Sequence, residues 1–122
     1  MGFTFSFPVE QTAIDKGVLT TWTKGFTASG VVGKDVVFML QESLNRKEVP
    51  IKVTALINDA VGTLLSHAYK HPNSLLGVIF GTGTNGSYFE KIENIKKLKI
   101  VPSNAEYMII NIEWGAFDNE VC

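Results

Sequence analysis

The sequence predicts an α/β fold, and three observations support this prediction. Apolar runs at residues 55–57, 75–80 and 107–112 have the length and composition of strands buried in a sheet. Two segments, one starting at Asp35 and one at Asn58, repeat apolar residues at helical spacing. Strands and helices alternate along most of the chain, which is the order typical of α/β proteins.

Composition and charge argue against nucleic acid as a partner. The chain has 122 residues, of which 45% are hydrophobic and 19% charged, as in an ordinary globular domain. Eleven basic and twelve acidic residues give a net charge of −1, so there is no basic field to attract a polyanion. The densest basic run, residues 91–99, also contains Glu93 and apolar residues. This mixture predicts a solvated face rather than a binding patch.

The sequence predicts neither membrane insertion nor an internal disulfide. No apolar run approaches the roughly 20 residues that a membrane span needs. The single cysteine, Cys122, indicates a reducing compartment. The N-terminal residues lack the basic and continuous apolar regions of a secretory signal, so we expect a cytoplasmic protein.

The first half of the chain contains signals for one strand and one helix. Residues 2–8 alternate apolar and polar types, which predicts a strand that ends at Pro8. Residues 9–33 carry mixed signals and several glycines, which predicts a long polar and aromatic connection. Asp35 suits the N-terminal end of a helix that continues to about Arg46.

The second half alternates strands with one helix. Residues 51–57 end in the apolar run A-L-I, which predicts a strand buried on both faces. A helix is predicted after Asn58 and Asp59 and before Pro72; its apolar stripe is Val61, Leu64, Leu65, Ala68 and Tyr69. Residues 75–80 predict another strand, and residues 87–92 are compatible with a strand or a helix. A last strand at 107–112 places Glu113 at its C-terminal end.

The segment from Gly81 to Gly86 matches the pattern G-x-G-x-x-G after an apolar strand. This pattern is the fingerprint of a dinucleotide-binding fold if a helix follows it. Bulky Tyr88 and Phe89 weaken that interpretation. Glycines and threonine hydroxyls also allow a phosphate to approach the backbone closely, and the same residues suit a tight hairpin turn. All three interpretations remain open from the motif alone.

Polar residues ahead of the second helix form the other candidate site. Asp59 has the position of a helix N-cap, and it is also suited to act as a general base in phosphoryl transfer, with Asn58 beside it. His67 and His71 lie four residues apart on the helix, but no third metal ligand is near them in sequence. We therefore expect solvent-facing histidines and no metal site.

Several separated motifs resemble those of the eukaryotic hexokinase family. They are G-F-T-F-S-F-P at residues 2–8, W-T-K-G-F at 22–26, L-I-N-D-A-V-G-T at 56–63, L-G-V-I-F-G-T-G-T-N at 76–85 and N-I-E-W-G-A-F at 111–117. The residues of these motifs resemble fungal-type members of the family more closely than vertebrate members. The resemblance implies part of an actin-like, ribonuclease H-like fold. Residues 1–59 would belong to the small, sugar-binding lobe, and residues 60–122 would begin the large lobe with its second phosphate-binding turn.

The resemblance also implies an activity and the roles of individual residues. The activity is the ATP-dependent phosphorylation of the 6-hydroxyl of glucose and related hexoses, the first step of glycolysis. Asp59 would be the general base, and Lys24 would also take part in catalysis. Hexose hydroxyls would be held by Ser6, Thr23, Lys24, Asn58, Asp59, Asn85 and Glu113. Gly81, Thr82 and Gly83 would face the phosphates of ATP, and Mg²⁺ would arrive on the nucleotide. These groups would have to converge in one crevice.

The sequence departs from the family pattern in several places. Ala60 stands where threonine is more common, and the connection at 97–104 is shorter than usual. The first phosphate loop, the second sugar-binding glutamate and the adenosine pocket have no counterpart. We therefore expect a central piece of a longer enzyme that cannot phosphorylate glucose by itself. The alternatives are a non-catalytic hexose-binding or sensing module and, less favoured, a dinucleotide-binding oxidoreductase.

Overall fold

The computed structural model describes residues 1–98 and 104–116. In chain order, the strands and α-helices are β1 (Gly2–Thr4), β2 (Val9–Ala13), β3 (Lys16–Leu19), α1 (Val36–Arg46), β4 (Ala55–Ile57), α2 (Asp59–Ala68), β5 (Leu76–Phe80), β6 (Thr84–Lys91) and β7 (Tyr107–Asn111). Two 3₁₀ helices, Ile92–Asn94 and Trp114–Ala116, follow β6 and β7. The chain forms two compact units, Met1–Asp59 and Ala60–Cys122.

In the first unit, β1 and β4 form a parallel pair with Gly2 opposite Ala55. The backbone N–H of Phe5 donates to the carbonyl of Ile57 at 2.9 Å and continues the pairing by one residue. Both strands are shorter than predicted. Leu56 is buried, whereas Ala55 and Ile57 are half-buried, so β4 is not uniformly buried on both faces as predicted.

An antiparallel hairpin, β2 with β3, occupies the segment predicted to be an irregular connection. Its turn is at Ile14 and Asp15, and a register irregularity lies between Gln11 and Ala13. Gln11 holds the hairpin against β4, because its Nε2 donates to the carbonyl of Leu56 at 3.0 Å. The prediction was wrong for residues 9–19.

Helix α1 has the ends that the sequence predicts. The Asp35 carboxylate accepts hydrogen bonds from the backbone N–H groups of Val37 and Phe38 at 2.9 and 3.0 Å, so Asp35 caps the helix. Arg46 lies in the last turn, where its charge complements the helix dipole. The core of this unit consists of Leu19, Val36, Val37, Val53 and Leu56.

In the second unit, β5, β6 and β7 form an antiparallel sheet in that order. Helix α2 packs closely on this sheet. A Cβ atom at Gly77 of β5 would lie 2.8 Å from the Cβ of Leu64 and 3.0 Å from the carbonyl oxygen of Ala60. The fully buried Ser87 of β6 donates through Oγ to the same Ala60 carbonyl at 2.8 Å.

The buried face of α2 differs from the predicted stripe. Ala60 and Leu64 are buried, whereas Leu65 is 43% exposed and Tyr69, beyond the end of the helix, is 88% exposed. The sheet comes close to the helix at Gly77, and the helix residues next to Gly77 are Ala60 and Leu64, which are therefore buried. Residues 87–92, left open between strand and helix, lie in β6 as far as Lys91. Within the described ranges, no helix is long and apolar enough to cross a membrane.

Candidate active site

A tight turn at Thr23–Phe26 (residues 23–26) shapes the first cluster of polar residues. Lys24 and Gly25 have φ angles of 56° and 75°. The backbone N–H of Phe26 donates to the carbonyl of Thr23 at 3.1 Å and closes the turn. Positive φ at both central residues is typical of a type I′ turn, which explains the glycine in W-T-K-G-F.

The turn directs Lys24 back to the segment that follows β1. Its Nζ donates to the carbonyl of Ser6 at 3.0 Å and lies 5.3 Å from the centre of the Phe7 ring. An ammonium over an aromatic face is stabilised by the ring's electron density. The structure therefore brings the Lys24 ammonium to the backbone carbonyl of Ser6, with Thr23 next to Lys24 in the turn.

Aromatic rings hold this turn in place. The centre of the Phe7 ring lies 4.8 Å from that of Trp22 and 5.0 Å from that of Phe26, both in edge-on orientations that are favourable for such rings. The indole N–H of Trp22 donates to the carbonyl of Ala28 at 2.8 Å. Trp22 is thus a packing residue, and the polar atoms of the first cluster are supported by a rigid apolar layer.

Asn58 and Asp59 connect β4 to α2, and both are half-buried. Asp59 is the first residue of α2 rather than the residue before it, so the predicted N-cap position falls on Asn58. A carboxylate in the first turn still lies near the positive end of the helix dipole.

In the second unit, Asn85 and Glu113 face each other at one end of the pair formed by β6 and β7. The register places Ser87 opposite Asn111. Asn85 lies two residues before Ser87, and Glu113 lies two residues after Asn111, just beyond the end of β7. Nδ2 of Asn85 donates to Oε1 of Glu113 at 3.1 Å, and the Glu113 backbone N–H donates to Oδ1 of Asn85 at 3.0 Å. The structure joins these two predicted residues.

Asn111 completes this cluster, although the sequence analysis did not identify it. Its Nδ2 donates to Oε1 of Glu113 at 2.6 Å, and its Oδ1 accepts from Nδ2 of Asn85 at 2.9 Å. A signal was available, because residues two apart on a strand lie on the same face. Glu113 itself has a φ of 52°, a left-handed conformation that side-chain-bearing residues rarely adopt.

The glycine turn joins two antiparallel strands, β5 and β6. The backbone N–H of Gly81 donates to the carbonyl of Gly83 at 2.9 Å inside the turn. A dinucleotide fingerprint requires a helix after the glycines, whereas strand β6 follows here. The interpretation as a dinucleotide-binding motif is therefore wrong, and the turn is a hairpin.

His67 and His71 are both exposed, as predicted, and their rings stack with centres 4.4 Å apart. Residues 1–98 and 104–116 contain no group of three or more His, Cys, Asp or Glu side chains arranged to hold a metal ion. The basic run is exposed at Lys91, Lys96 and Lys97, whereas Lys99 lies outside the described residues. The shortened connection at 97–104 and Cys122 also fall wholly or partly outside them.

Comparison with known families decides the relationship. Residues 1–69 match one family model described as hexokinase, and residues 75–122 match a second model with the same description. The first match alone covers more than half of the chain.

The chain belongs to the hexokinase family.

Fungal and mammalian hexokinases are similar to almost all of this chain. A glucokinase from Aspergillus niger is 50% identical over 130 residues, which include 99% of this chain and 26% of that protein. Hexokinase-1 from Saccharomyces cerevisiae is 48% identical, covering 98% of this chain and 26% of that protein. Hexokinase-3 from Mus musculus is 47% identical, covering 98% of this chain and 13% of that protein. The chain thus spans about a quarter of the length of the fungal relatives.

A solved structure confirms the fold class. The hexokinase from Schistosoma mansoni complexed with glucose matches with a TM-score of 0.85 and 44% identity, covering 95% of this chain and 26% of that one. The chain therefore has the fold of the corresponding part of hexokinase, as predicted from its resemblance to this actin-like family. The assignment of residues 1–59 and 60–122 to two lobes stays a prediction.

The roles of the individual residues in this hexokinase segment also stay predictions. The structure groups Ser6, Thr23 and Lys24 in one unit, and Asn85, Asn111 and Glu113 in the other. The convergence of both groups with Asp59 around one hexose, and the contact of residues 81–83 with phosphate, remain to be tested by experiment.

Proposed function

We propose that this chain is the central part of a longer, cytoplasmic hexokinase that transfers the γ-phosphoryl group of ATP to the 6-hydroxyl of glucose and related hexoses, the first step of glycolysis. The names of the relatives and the glucose complex of the similar Schistosoma enzyme support this proposal. The observation that supports it most directly is the Glu113 carboxylate, which two amide side chains hold at the end of β7.

This arrangement suits the recognition of sugar hydroxyls. Each hydroxyl is both a donor and an acceptor, so it pairs well with a site that combines amides, a carboxylate and an ammonium. The proposed partners are Ser6, Thr23, Lys24, Asn58, Asp59, Asn85 and Glu113. A buried partner left without its hydroxyl costs about 1–3 kcal/mol, which gives such a site its selectivity for a particular sugar.

Asp59 is proposed to remove the proton from the 6-hydroxyl. The hydroxyl oxygen then bonds to the γ-phosphorus, the bond from phosphorus to the bridging oxygen breaks, and ADP leaves while Asp59 holds the proton. Lys24 adds a positive charge that is fixed by Ser6 and Phe7. Positioning of this kind supplies most of the catalysis in phosphoryl transfer.

Phosphate binding is assigned to Gly81, Thr82 and Gly83. The turn is exposed at Gly81 and Thr82, and a Cβ at Gly81 would have as its nearest neighbour the Gly83 carbonyl at 3.8 Å, so a phosphate can approach the backbone. The amide of Gly81 is used inside the turn, and the Thr82 hydroxyl can serve as a donor to phosphate. ATP bound there would supply the phosphoryl group, and Mg²⁺ is proposed to arrive on the nucleotide.

The Asp59→Asn substitution in the longer enzyme tests this function. Asparagine keeps the size of the side chain but cannot accept the proton, so we expect kcat to fall by roughly 10²- to 10⁴-fold. Calorimetry should still detect glucose binding. The matched control is Asp35→Asn, because Asp35 also lies at a helix N-terminus and asparagine caps equally well. Its kcat should not change.

The outcomes separate the proposed enzyme from the alternative. An Asp59→Asn enzyme that keeps full activity would contradict the role of Asp59 as the base. If the unsubstituted longer protein binds glucose but shows no ATP-dependent turnover, the non-catalytic hexose-binding or sensing module is correct instead.

A further inference from the structure

We infer that Asn111 is a positioning residue, which fixes the Glu113 carboxylate in the orientation that binds the hexose. The inference rests on the proposed function. It extends that function to a residue that is not among the predicted hexose-binding residues. Asn111 does not need to contact the sugar in this role. It acts through Glu113 and Asn85.

The hydrogen bonds around Glu113 converge on one carboxylate oxygen. Oε1 accepts from Nδ2 of Asn111 at 2.6 Å and from Nδ2 of Asn85 at 3.1 Å. Within the described residues, both bonds to this carboxylate end on Oε1. Two donors on one oxygen fix the rotation of the carboxylate, so Oε2 is the oxygen that a sugar hydroxyl can reach.

Asn111 also determines the orientation of Asn85. The Asn85 amide uses both of its N–H groups, one on Oδ1 of Asn111 at 2.9 Å and one on Oε1 of Glu113, so a sugar hydroxyl bound to Asn85 would replace one of these bonds. Its Oδ1 accepts from the backbone N–H groups of Gly86 at 2.7 Å and Glu113 at 3.0 Å. The three side chains therefore form a closed network, and within the described residues Asn85 is the member whose side chain accepts backbone hydrogen bonds.

The backbone beneath Asn111 is well anchored. Asn111 is paired with Ser87 across the two strands, and Ser87 is fully buried. The Ser87 hydroxyl donates to the Ala60 carbonyl in the first turn of α2. A residue on a strand fixed in this way positions its amide more accurately than a loop residue would. By contrast, Glu113 lies just after β7 with a strained φ of 52° and needs such support.

Substitution of Asn111 in the longer enzyme should weaken sugar binding. For Asn111→Ala we expect the KM for glucose to rise roughly 10- to 100-fold, the loss typical of a hydrogen bond to a charged group. The KM for ATP should change less than threefold, or about 0.7 kcal/mol. Asn111→Asp keeps the size but places a second carboxylate oxygen beside Oε1 of Glu113. It should raise the KM for glucose at least as far as alanine does.

A double-mutant cycle distinguishes positioning from a general structural role. If Asn111 acts through the carboxylate of Glu113, then Asn111→Ala should have little further effect in a Glu113→Gln background. If the fold-increases in the glucose KM of the two single variants multiply in full in the double variant, the inference is overturned. The thermal midpoints of all variants, measured alongside, show whether each remains folded. Asn111→Asp keeps the test valid if the alanine variant unfolds.

Asn94→Ala is the matched control. Asn94 donates through Nδ2 to Oε1 of Glu90 at 2.8 Å, an amide-to-carboxylate bond of the same kind near the other end of β6. The glucose KM of this variant should equal that of the unsubstituted enzyme. Failure of Glu113→Gln itself to change the glucose KM would overturn the proposed sugar site. A strong effect of Glu113→Gln with none of Asn111→Ala would overturn only the positioning role.

Discussion

At the scale of single residues, the Glu90 carboxylate shows how neighbouring groups shift the pKa of an acidic side chain. The pKa of Glu90 lies below its usual value, chiefly because the Asn94 amide and then the Lys91 backbone N–H donate to it. The pKa of Tyr88 is raised, first by partial desolvation and then by the nearby Glu90 charge. The hydrogen-bonding and charged groups named here lie on or just beyond β6.

We predict that Asn94→Ala raises the pKa of Glu90 towards its ordinary value, and an NMR pH titration measures this directly. A lowered pKa in the folded state means that Glu90 contributes to stability above its unfolded pKa, and this contribution is lost as the pH falls through the folded pKa. The variant should therefore lose less stability in that acid range. An unchanged Glu90 pKa would contradict the assigned cause.

Residue identities in the candidate site were predictable, whereas their partners were not. Asn85 and Glu113 stood in motifs, so the sequence was sufficient to select them. Asn111 stands in the same motif as Glu113, and its spacing from Glu113 was a signal. Its contact with Asn85 depends on the register of β6 with β7, which a local pattern does not encode. The position of Asp59 was wrong by one residue, which is the usual uncertainty of a helix end.

At the scale of elements, local signals predicted α1 well and the hairpin of β2 and β3 poorly. Asp35 caps the helix through contacts within three residues, so no tertiary information was needed. In contrast, β2 is exposed at four of its five residues and shows no alternation of buried and exposed positions. The turn at Ile14 and Asp15 also lacks the Asn-Gly type of signal.

The contact between α2 and β5 gives a prediction at this scale. Gly77→Ala would place a Cβ atom 2.9 Å from the backbone nitrogen of Leu64 and 3.0 Å from the Ala60 carbonyl oxygen, and neither backbone atom can move alone. We expect urea unfolding to show a loss of about 1–3 kcal/mol.

Gly2→Ala is the control for this substitution. Gly2 is also a strand residue, but a Cβ there would meet nothing within 4 Å. Its free energy of unfolding should change by less than about 0.5 kcal/mol. Equal stability losses in the two variants would contradict the close approach of α2 to β5.

At the scale of the whole molecule, the α/β class followed from the order of elements, and the family followed from the motifs. The extent of the buried surface could not be predicted in the same way. Leu75, Leu76 and Phe80 lie in an apolar run typical of a buried strand, yet they are 74%, 55% and 82% exposed. Burial depends on what packs against a strand, and the sequence of the strand alone does not contain that information.

We predict that the purified 122-residue chain does not phosphorylate glucose. It spans about a quarter of the fungal relatives, and the motifs expected for the first phosphate loop and the adenosine pocket have no counterpart in its sequence. Phosphoryl transfer depends on holding both reactants in line, so a chain without the first phosphate loop and the adenosine pocket should not support it. A coupled assay for ADP release measures this, with a complete hexokinase as the positive control. Sustained glucose-dependent turnover by the chain alone would contradict the prediction.

The left-handed backbone at Lys24 and Glu113 has a practical consequence for protein engineering. Glycine would relieve roughly 1–2 kcal/mol of steric cost at such positions, so a redesign that optimises stability alone would remove both charges. Glu48 has the same conformation, with a φ of 56°, directly after the C-cap of α1. A thermostabilising programme should therefore exchange Glu48 for glycine and leave Lys24 and Glu113 unchanged.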